Sequence, residues 1–357
     1  MIRPVRYAEN PLVTPKDVKP SRPDFEVIGS FNAGVIRHEG EVLMLMRVAE
    51  RPVSPDPAIC RVPYLVCDGP DARIAVRECR RDDPDINFSD PRVVGFPDGT
   101  MLTSISHLRL ARSRDGRGFT VDETPALMPG RPSERYGLED PRITKLGDTY
   151  YIVYKAVSPD GVVQSLATTR DFVTFEKPGI IFPPENMDAM LFPEKIRGRF
   201  AALHRPLGGM LAGPSMWVAY GPDPMSLGEH HFLLGRSTSG WDSGRVGGGA
   251  VPILTERGWL EIYHAATGTD HYCLGALLLD ADRPELLVAK GAGPILRPDA
   301  PYEANGFVNN VVFTCGALVD GDCLSVYYGA ADETMCGGDF SRSESLAFPP
   351  GAYPAAG

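Results

Sequence analysis

The chain has 357 residues, 43% of them hydrophobic, with Gly 38, Pro 34 and a formal net charge of −10. That apolar share excludes a wholly disordered chain, and the acidity argues against nucleic acid or an anionic membrane as partner, since both want a basic face. The seven cysteines are scattered without zinc-like spacing, the first twenty residues carry no apolar signal core, and no run approaches the length of a membrane span. A cytoplasmic protein with reduced thiols, no metal site and no membrane segment is therefore expected.

Taken in chain order, the sequence repeats one unit, a strand, an Asx or Gly turn and an apolar strand. The first copy runs from Gly34-Val35-Ile36-Arg37 through Glu39-Gly40 into Val42-Leu43-Met44-Leu45-Met46-Arg47. The second is Asp90-Pro91-Arg92-Val93-Val94, a turn at Pro97-Asp98-Gly99 and Met101 to Ile105. The third is Asp140-Pro141-Arg142-Ile143-Thr144, a turn at Gly147-Asp148 and Tyr150 to Tyr154. Further copies pair Phe192–Ile196 with Phe200–His204, Ala250–Leu254 with Leu260–His264, and Asn310–Phe313 with Leu324–Tyr328. A trailing strand ends at an Asp turn near Asp115, Asp171, Asp223 and Asp280. Four strands per unit of about 50 residues is the size of a propeller blade, and a sandwich would not repeat so regularly. The expected fold is an all-β propeller, read as one domain over 1–357 with an extra unit at about 50–105.

Inner strands of propeller blades line one central funnel, so polar residues repeated at their entry ends become neighbours in space. Asn32, Asp90, Asp140, Met187-Asp188, Arg245 and Asn309-Asn310 occupy that position, and partner strands add Arg47, His204-Arg205, His264 and Asp332. Carboxylates, guanidiniums and imidazoles around one funnel suit a sugar, an anion or both, and a carboxylate among them can act as general acid. Duller roles stand beside these. Asp90 can cap its turn and pair with Arg92, Arg205 can make a surface ion pair, and His264 can be a core histidine. Gly247-Gly248-Gly249 precedes a strand rather than opening a helix, so it fits close backbone approach better than a phosphate loop. Trp217, Trp241 and Trp259 fit sugar stacking or core packing.

Several stretches together resemble glycoside hydrolase family 130, the β-mannoside phosphorylases and related mannosidases. They are Phe31-Asn32-Ala33-Gly34, Gly137-Leu138-Glu139-Asp140-Pro141-Arg142, Leu191-Phe192-Pro193-Glu194-Lys195-Ile196 and Leu203-His204-Arg205-Pro206. Arg245-Val246-Gly247-Gly248-Gly249-Ala250, Ile262-Tyr263-His264, Asn310-Val311-Val312-Phe313 and Tyr327-Tyr328-Gly329-Ala330-Ala331-Asp332 follow in order. The resemblance implies a five-bladed propeller with Asp140 as general acid, protonating the glycosidic oxygen through a mannose hydroxyl. It implies that Asn32, Arg47 and Asp332 hold mannose and that Arg205, Arg245 and His264 hold inorganic phosphate. Phosphate would then attack with inversion to give α-mannose 1-phosphate, as co-substrate and with no cofactor. The partners implied are a carbohydrate and phosphate, and the assembly state, monomer or homo-oligomer, is left open.

Two departures bear on that expectation. Where the phosphorylases commonly place an Arg followed by an Asn, this chain has Met187-Asp188. Loss of a cation beside a new carboxylate weakens a dianion site. It also opens an inverting hydrolase with water as nucleophile and Asp188 or Asp90 as base; a sugar-binding propeller without catalysis and a protein-interaction propeller are the remaining alternatives. The second departure is architectural: six hairpins are counted, so the Asp90 copy is either a sixth blade or an addition to a five-bladed ring.

Overall fold

A computed structural model describes residues 4–68, 71–346 and 348. Its strands form the five blades of a propeller. The first blade comprises Phe25–His38, Glu41–Pro52, Ile105–Ser113 and Thr120–Val121. The second comprises Gly137–Leu146, Thr149–Ser158, Gly161–Thr169 and Glu176–Phe182. Asn186–Leu191, Phe200–Pro206, Met216–Gly221 and Glu229–Leu234 make the third. In the fourth, Arg245–Gly247 and Ile253–Thr255 share the inner position beside Gly258–Ala266, followed by Tyr272–Leu279 and Leu287–Lys290. The fifth has Val312–Asp320, Cys323–Ala330 and Thr334–Ser341, and Val5–Arg6 from the N-terminus supplies its outer strand. That pairing covers an open sheet edge and fastens the ring.

The ring is visible in the core itself. Leu43, Leu110, Leu138 and Ile152 pack blade one on blade two, and Phe182, Leu191 and Ala202 join two to three. Leu203, Trp259 and Leu277 join three to four, and Ile262, Leu274, Val326 and Tyr328 join four to five. Phe31, Met44, Tyr327 and Met335 return five to one. Each buried Leu, Ile or Phe contributes about 1.5–3 kcal/mol, so these five layers, rather than the short connections, hold the blades together.

The sixth hairpin is no blade. Val93–Phe96 and Gly99–Leu102 form a two-stranded sheet inside an insertion between the second and third strands of blade one, next to a second hairpin, Ile59–Asp68 with Asp71–Arg80. The insertion has its own small core of Val62, Val94, Phe96 and Met101, seated against Tyr136 of the segment entering blade two. Ser106 meets Gly137 in a parallel bridge at this seam. Gly137 has φ +122, and a Cβ there would lie 2.4 Å from the Ser106 nitrogen, so only glycine admits the contact.

The second hairpin after the insertion, in blade three, also begins earlier than the sequence pattern indicates. The inner strand of blade three is Asn186–Leu191, whereas Phe192–Ile196 is a connection. Pro193 has no amide donor and cannot extend the ladder.

Candidate active site

Three inner strands carry the same irregularity. Register shifts between Phe31 and Gly34, Glu139 and Arg142, and Met187 and Met190 mark bulges in blades one, two and three. Each bulge holds a left-handed residue: Asn32 at φ 50, Asp140 at φ 48 and Asp188 at φ 53. Asn and Asp tolerate this conformation better than other side chains, and the bulge re-aims them toward the funnel. Asp332, at φ 52, enters from blade five. In blade four the equivalent stretch is Gly247-Gly248-Gly249. A Cβ on Gly247 would sit 2.3 Å from Asp188 Oδ2, and one on Gly249 would sit 2.2 Å from the Ile262 carbonyl. The triple glycine therefore serves close packing at the axis, as its position before a strand indicates.

Opposite each bulge, the second strand contributes one functional side chain. Arg47 pairs in register with Phe31, Lys155 with Glu139, Arg205 with Met187 and His264 with Gly247. Asn32, Arg47, Asp90, Asp140, Asp188, Arg205, Arg245 and Asp332 all line one cavity of about 360 Å³. His264 does not reach it; the ring is 0% exposed, tilted against Phe313 at 4.2 Å between ring centres and placed behind Asp188. Asn309 and Asn310 are exposed away from the cavity lining, and His204 lies flat on Phe182 of blade two at the seam of blades two and three. Trp259 is core, packed edge-on against Phe192.

One half of the cavity is a charge square. Asp140, 5% exposed, accepts a hydrogen bond from Asn32 Nδ2 at 2.9 Å. Lys155 Nζ lies 2.6 Å from Glu139 Oε2 and 3.1 Å from Asp140 Oδ2, while Arg47 lies 2.7 Å from Glu139 Oε1 and 3.5 Å from Asp140 Oδ1. Burial opposes charge on Asp140, but Lys155, Arg47 and Arg142 outweigh it and hold the carboxyl well below the usual carboxylate range. Asp332 behaves oppositely. Loss of water pushes its carboxyl up to about 6 against the pull of Arg47, with the charge of Asp140 adding to the rise. Two carboxyls facing one cavity with proton affinities driven apart is an arrangement common in acid–base sites.

The other half is arranged around Asp188. Its Oδ2 lies 2.7 Å from Arg205 Nε and 3.1 Å from His264 Nε2, and its Oδ1 lies 3.3 Å from Arg142. Burial disfavours this charge, but Arg205, His264 and Arg142 hold it far below the ordinary range. His264 is itself shifted down by burial, against the pull of Asp188. Arg205 is 4% exposed, and its Nη1 has no hydrogen-bond partner among the described residues. Arg245 faces it from blade four, held by Asp270 at 2.5 Å and by the Tyr272 hydroxyl at 2.9 Å. Asp90 stands apart at the mouth, chelated by its own Arg92 through Nε at 3.0 Å and Nη2 at 2.8 Å.

Lys155, Glu139, Arg142 and Asp270 are participants that motif reading passes over. The repeat does hold a signal for Lys155, which follows Asp140 at the same spacing as Arg47 follows Asn32.

Comparison with known proteins adds to this geometry. The glycoside hydrolase family 130 model, described as beta-1,4-mannooligosaccharide phosphorylase, matches residues 91–344. The chain belongs to glycoside hydrolase family 130 and is an enzyme of that family. It is 49% identical over 348 residues to the beta-1,2-mannobiose phosphorylase of Listeria innocua serovar 6a, covering 96% of this chain and 97% of that one. A 1,2-beta-oligomannan phosphorylase of Thermoanaerobacter sp. strain X514 is 39% identical over 65% of this chain and 77% of its own length. Among solved structures, the Listeria innocua beta-1,2-mannobiose phosphorylase in complex with beta-1,2-mannobiose superposes with a TM-score of 0.92 at 48% identity. That match covers 96% of this chain and 98% of the other. The relatives are mannoside phosphorylases, and the fold of this family-130 enzyme is the five-bladed propeller described above.

Proposed function

We propose that this enzyme cleaves β-1,2-linked mannobiose and short β-1,2-mannosides with inorganic phosphate, inverting the anomeric centre to release α-mannose 1-phosphate. The carrying observation is the buried Nη1 of Arg205, without a hydrogen-bond partner among the described residues, in a residue that lines the same cavity as Arg245 and Asp140. A guanidinium donor left unpaired in a buried site is costly, and a phosphate oxygen is the acceptor that matches it. The β-1,2 linkage is favoured by the near full-length likeness to the Listeria enzyme. Hydrolysis needs a free base, and both candidates are committed elsewhere: Asp188 to two guanidiniums and an imidazole, Asp90 to Arg92. A carboxylate held that far below its usual range is a poor acceptor of a water proton.

In this reading Asn32, Arg47 and Asp332 orient mannose, and Arg205 and Arg245 hold phosphate, with His264 acting through Asp188 rather than by contact. A phosphate oxygen bonds to the anomeric carbon as the bond to the leaving oxygen breaks. The leaving oxygen takes a proton from Asp140 by way of a mannose hydroxyl, and the proton of monohydrogen phosphate restores the balance. Asp140 is ionised in the empty pocket. Filling the pocket with sugar strips its remaining water, which disfavours the charge and lifts its proton affinity toward the working range.

Incubation of the protein with β-1,2-mannobiose, followed by phosphorus NMR and sugar chromatography, tests the proposal. Equal amounts of mannose and α-mannose 1-phosphate are expected, strictly dependent on added phosphate. Free mannose alone, formed at the same rate without phosphate, identifies a hydrolase instead.

A further inference from the structure

Arg142 is a cation at the propeller axis to which the proposed chemistry gives no task of its own. It is 1% exposed and does not line the catalytic cavity. It stands two residues after the left-handed Asp140. The same place in the bulges of blades one and three is taken by Gly34 and Met190, so of the three only blade two sends a charge to the axis.

The guanidinium is shared among four acceptors from three blades. Nη1 donates to the main-chain carbonyl of Asp140 at 3.1 Å, and Nε to the Gly249 carbonyl at 3.1 Å. Nη2 donates to the Gly248 carbonyl at 2.9 Å and to Asp188 Oδ1 at 3.3 Å. The Phe313 ring of blade five lies 5.7 Å from the guanidinium carbon. Blade one closes on the same bulge, because a Cβ on Gly34 would lie 2.8 Å from the Pro141 carbonyl.

We propose that Arg142 is the positioning residue of the general acid, tying the Asp140 bulge to the backbone of blade four and to Asp188 of the anion half. The proposal rests on Asp140 being the proton donor in the phosphorolysis reading. At the bulge, Asp140 and Pro141 together oppose Tyr154 alone, and Pro141 has no amide to donate. The strand ladder is thus thinnest where the acid sits, and the Arg142 fork replaces what the ladder lacks. One of its acceptors belongs to the acid and another is the carboxylate that holds Arg205. A single rigid plane therefore fixes the spacing between proton donor and anion site, and a misplacement of about 1 Å at such a site costs up to about 10²-fold in rate. Arg142 also acts through its charge. Burial disfavours the Asp140 carboxylate, and Arg142 adds to Lys155 and Arg47 in opposing that effect.

Arg142→Lys and Arg142→Gln separate these two actions. Lysine keeps the charge but concentrates its donors on one nitrogen, whereas glutamine loses both charge and fork. Phosphorolysis of β-1,2-mannobiose is followed across pH, with urea unfolding to fix the folded fraction. Arg142→Lys should lower kcat per folded molecule by about ten- to a hundredfold, with the mannobiose KM within about twofold and the alkaline limb in place. Arg142→Gln should lose as much and move the limb up by about one unit. If Arg142→Gln does not fold, Arg142→Lys decides alone. A kcat near wild type in folded Arg142→Lys overturns the proposal, and so does a loss carried by the mannobiose KM, which makes Arg142 a sugar-binding group. A limb that stays in place in folded Arg142→Gln overturns it too. Wild type that forms no mannose 1-phosphate overturns the phosphorolysis reading and the proposal with it, whereas active wild type beside a full-speed Arg142→Lys sinks the proposal alone.

Discussion

The two halves of the catalytic cavity are built from the same backbone device and carry opposite electrostatics. Blades one and two set Arg47 and Lys155 against Glu139 and Asp140, and Asp332 of blade five adds a third carboxyl, so this half has no cation in excess. Around Asp188, Arg142 of blade two joins Arg205 and Arg245 of blades three and four against Asp188 and Asp270, which leaves one positive charge in excess and Arg205 Nη1 without a hydrogen-bond partner among the described residues. A half with no cation in excess suits a neutral sugar, which is read by hydrogen bonds. A half with a cation in excess suits an anion. Bulges in three blades, a triple glycine in the fourth and one facing residue per blade thus divide a single pocket between two substrates.

The largest expected break in this comparison comes from the half that holds Asp140. Asp140→Asn removes the proton donor and should lower kcat by about 10²–10⁴-fold, while phosphate binding persists. Steady-state kinetics together with phosphate titration read both parts.

Asp188→Asn attacks the other half. It leaves buried guanidiniums without their counter-charge and should cost about 3–5 kcal/mol of stability, measured by urea unfolding at pH 7. Its carboxyl is depressed in the folded state, so the stability it contributes is present above its unfolded value, near 4, and drains as pH falls. Urea midpoints of variant and wild type should therefore converge below about pH 4. The freed Arg205 should also lower the phosphate KM of the folded variant.

Lys155→Met tests the charge square through pH. A general acid works only while protonated, so its loss of the proton sets the alkaline limb of the activity profile. Removing Lys155 raises the proton affinity of Asp140, and the limb should move up by about one unit. A limb that stays in place means that Lys155 does not govern the acid. The smallest effect is expected of Met187→Arg, which adds a cation beside Arg205 and should lower the phosphate KM severalfold; an unchanged value places the anion elsewhere.

Much of this was legible in the sequence because a propeller repeats. The recurring hairpins announced the architecture, and the residues at their entry ends, Asn32, Asp140, Asp188 and Arg205, do converge on one cavity. What misled was local likeness. Asp90-Pro91-Arg92 reads like Asp140-Pro141-Arg142, yet Arg92 turns back on its own Asp90, while Arg142 runs to the axis and binds the Gly248 carbonyl at 2.9 Å. Motif spacing does not report burial, and burial separates those two arginines. The same holds for His264, whose place in the repeat was visible but whose retreat behind Asp188 depends on Gly247 having no side chain. Lys155 lies on the partner strand of an otherwise apolar hairpin, where the matching spacing of Asn32 to Arg47 is the signal in the sequence and register shows its neighbours.

The division of the pocket is tested most directly by calorimetric titration of inorganic phosphate into sugar-free protein. Wild type and Asp140→Asn should bind with similar affinity, and Arg205→Ala should lose at least about tenfold. Binding that survives in Arg205→Ala but vanishes in Asp140→Asn would contradict the assignment of the two halves.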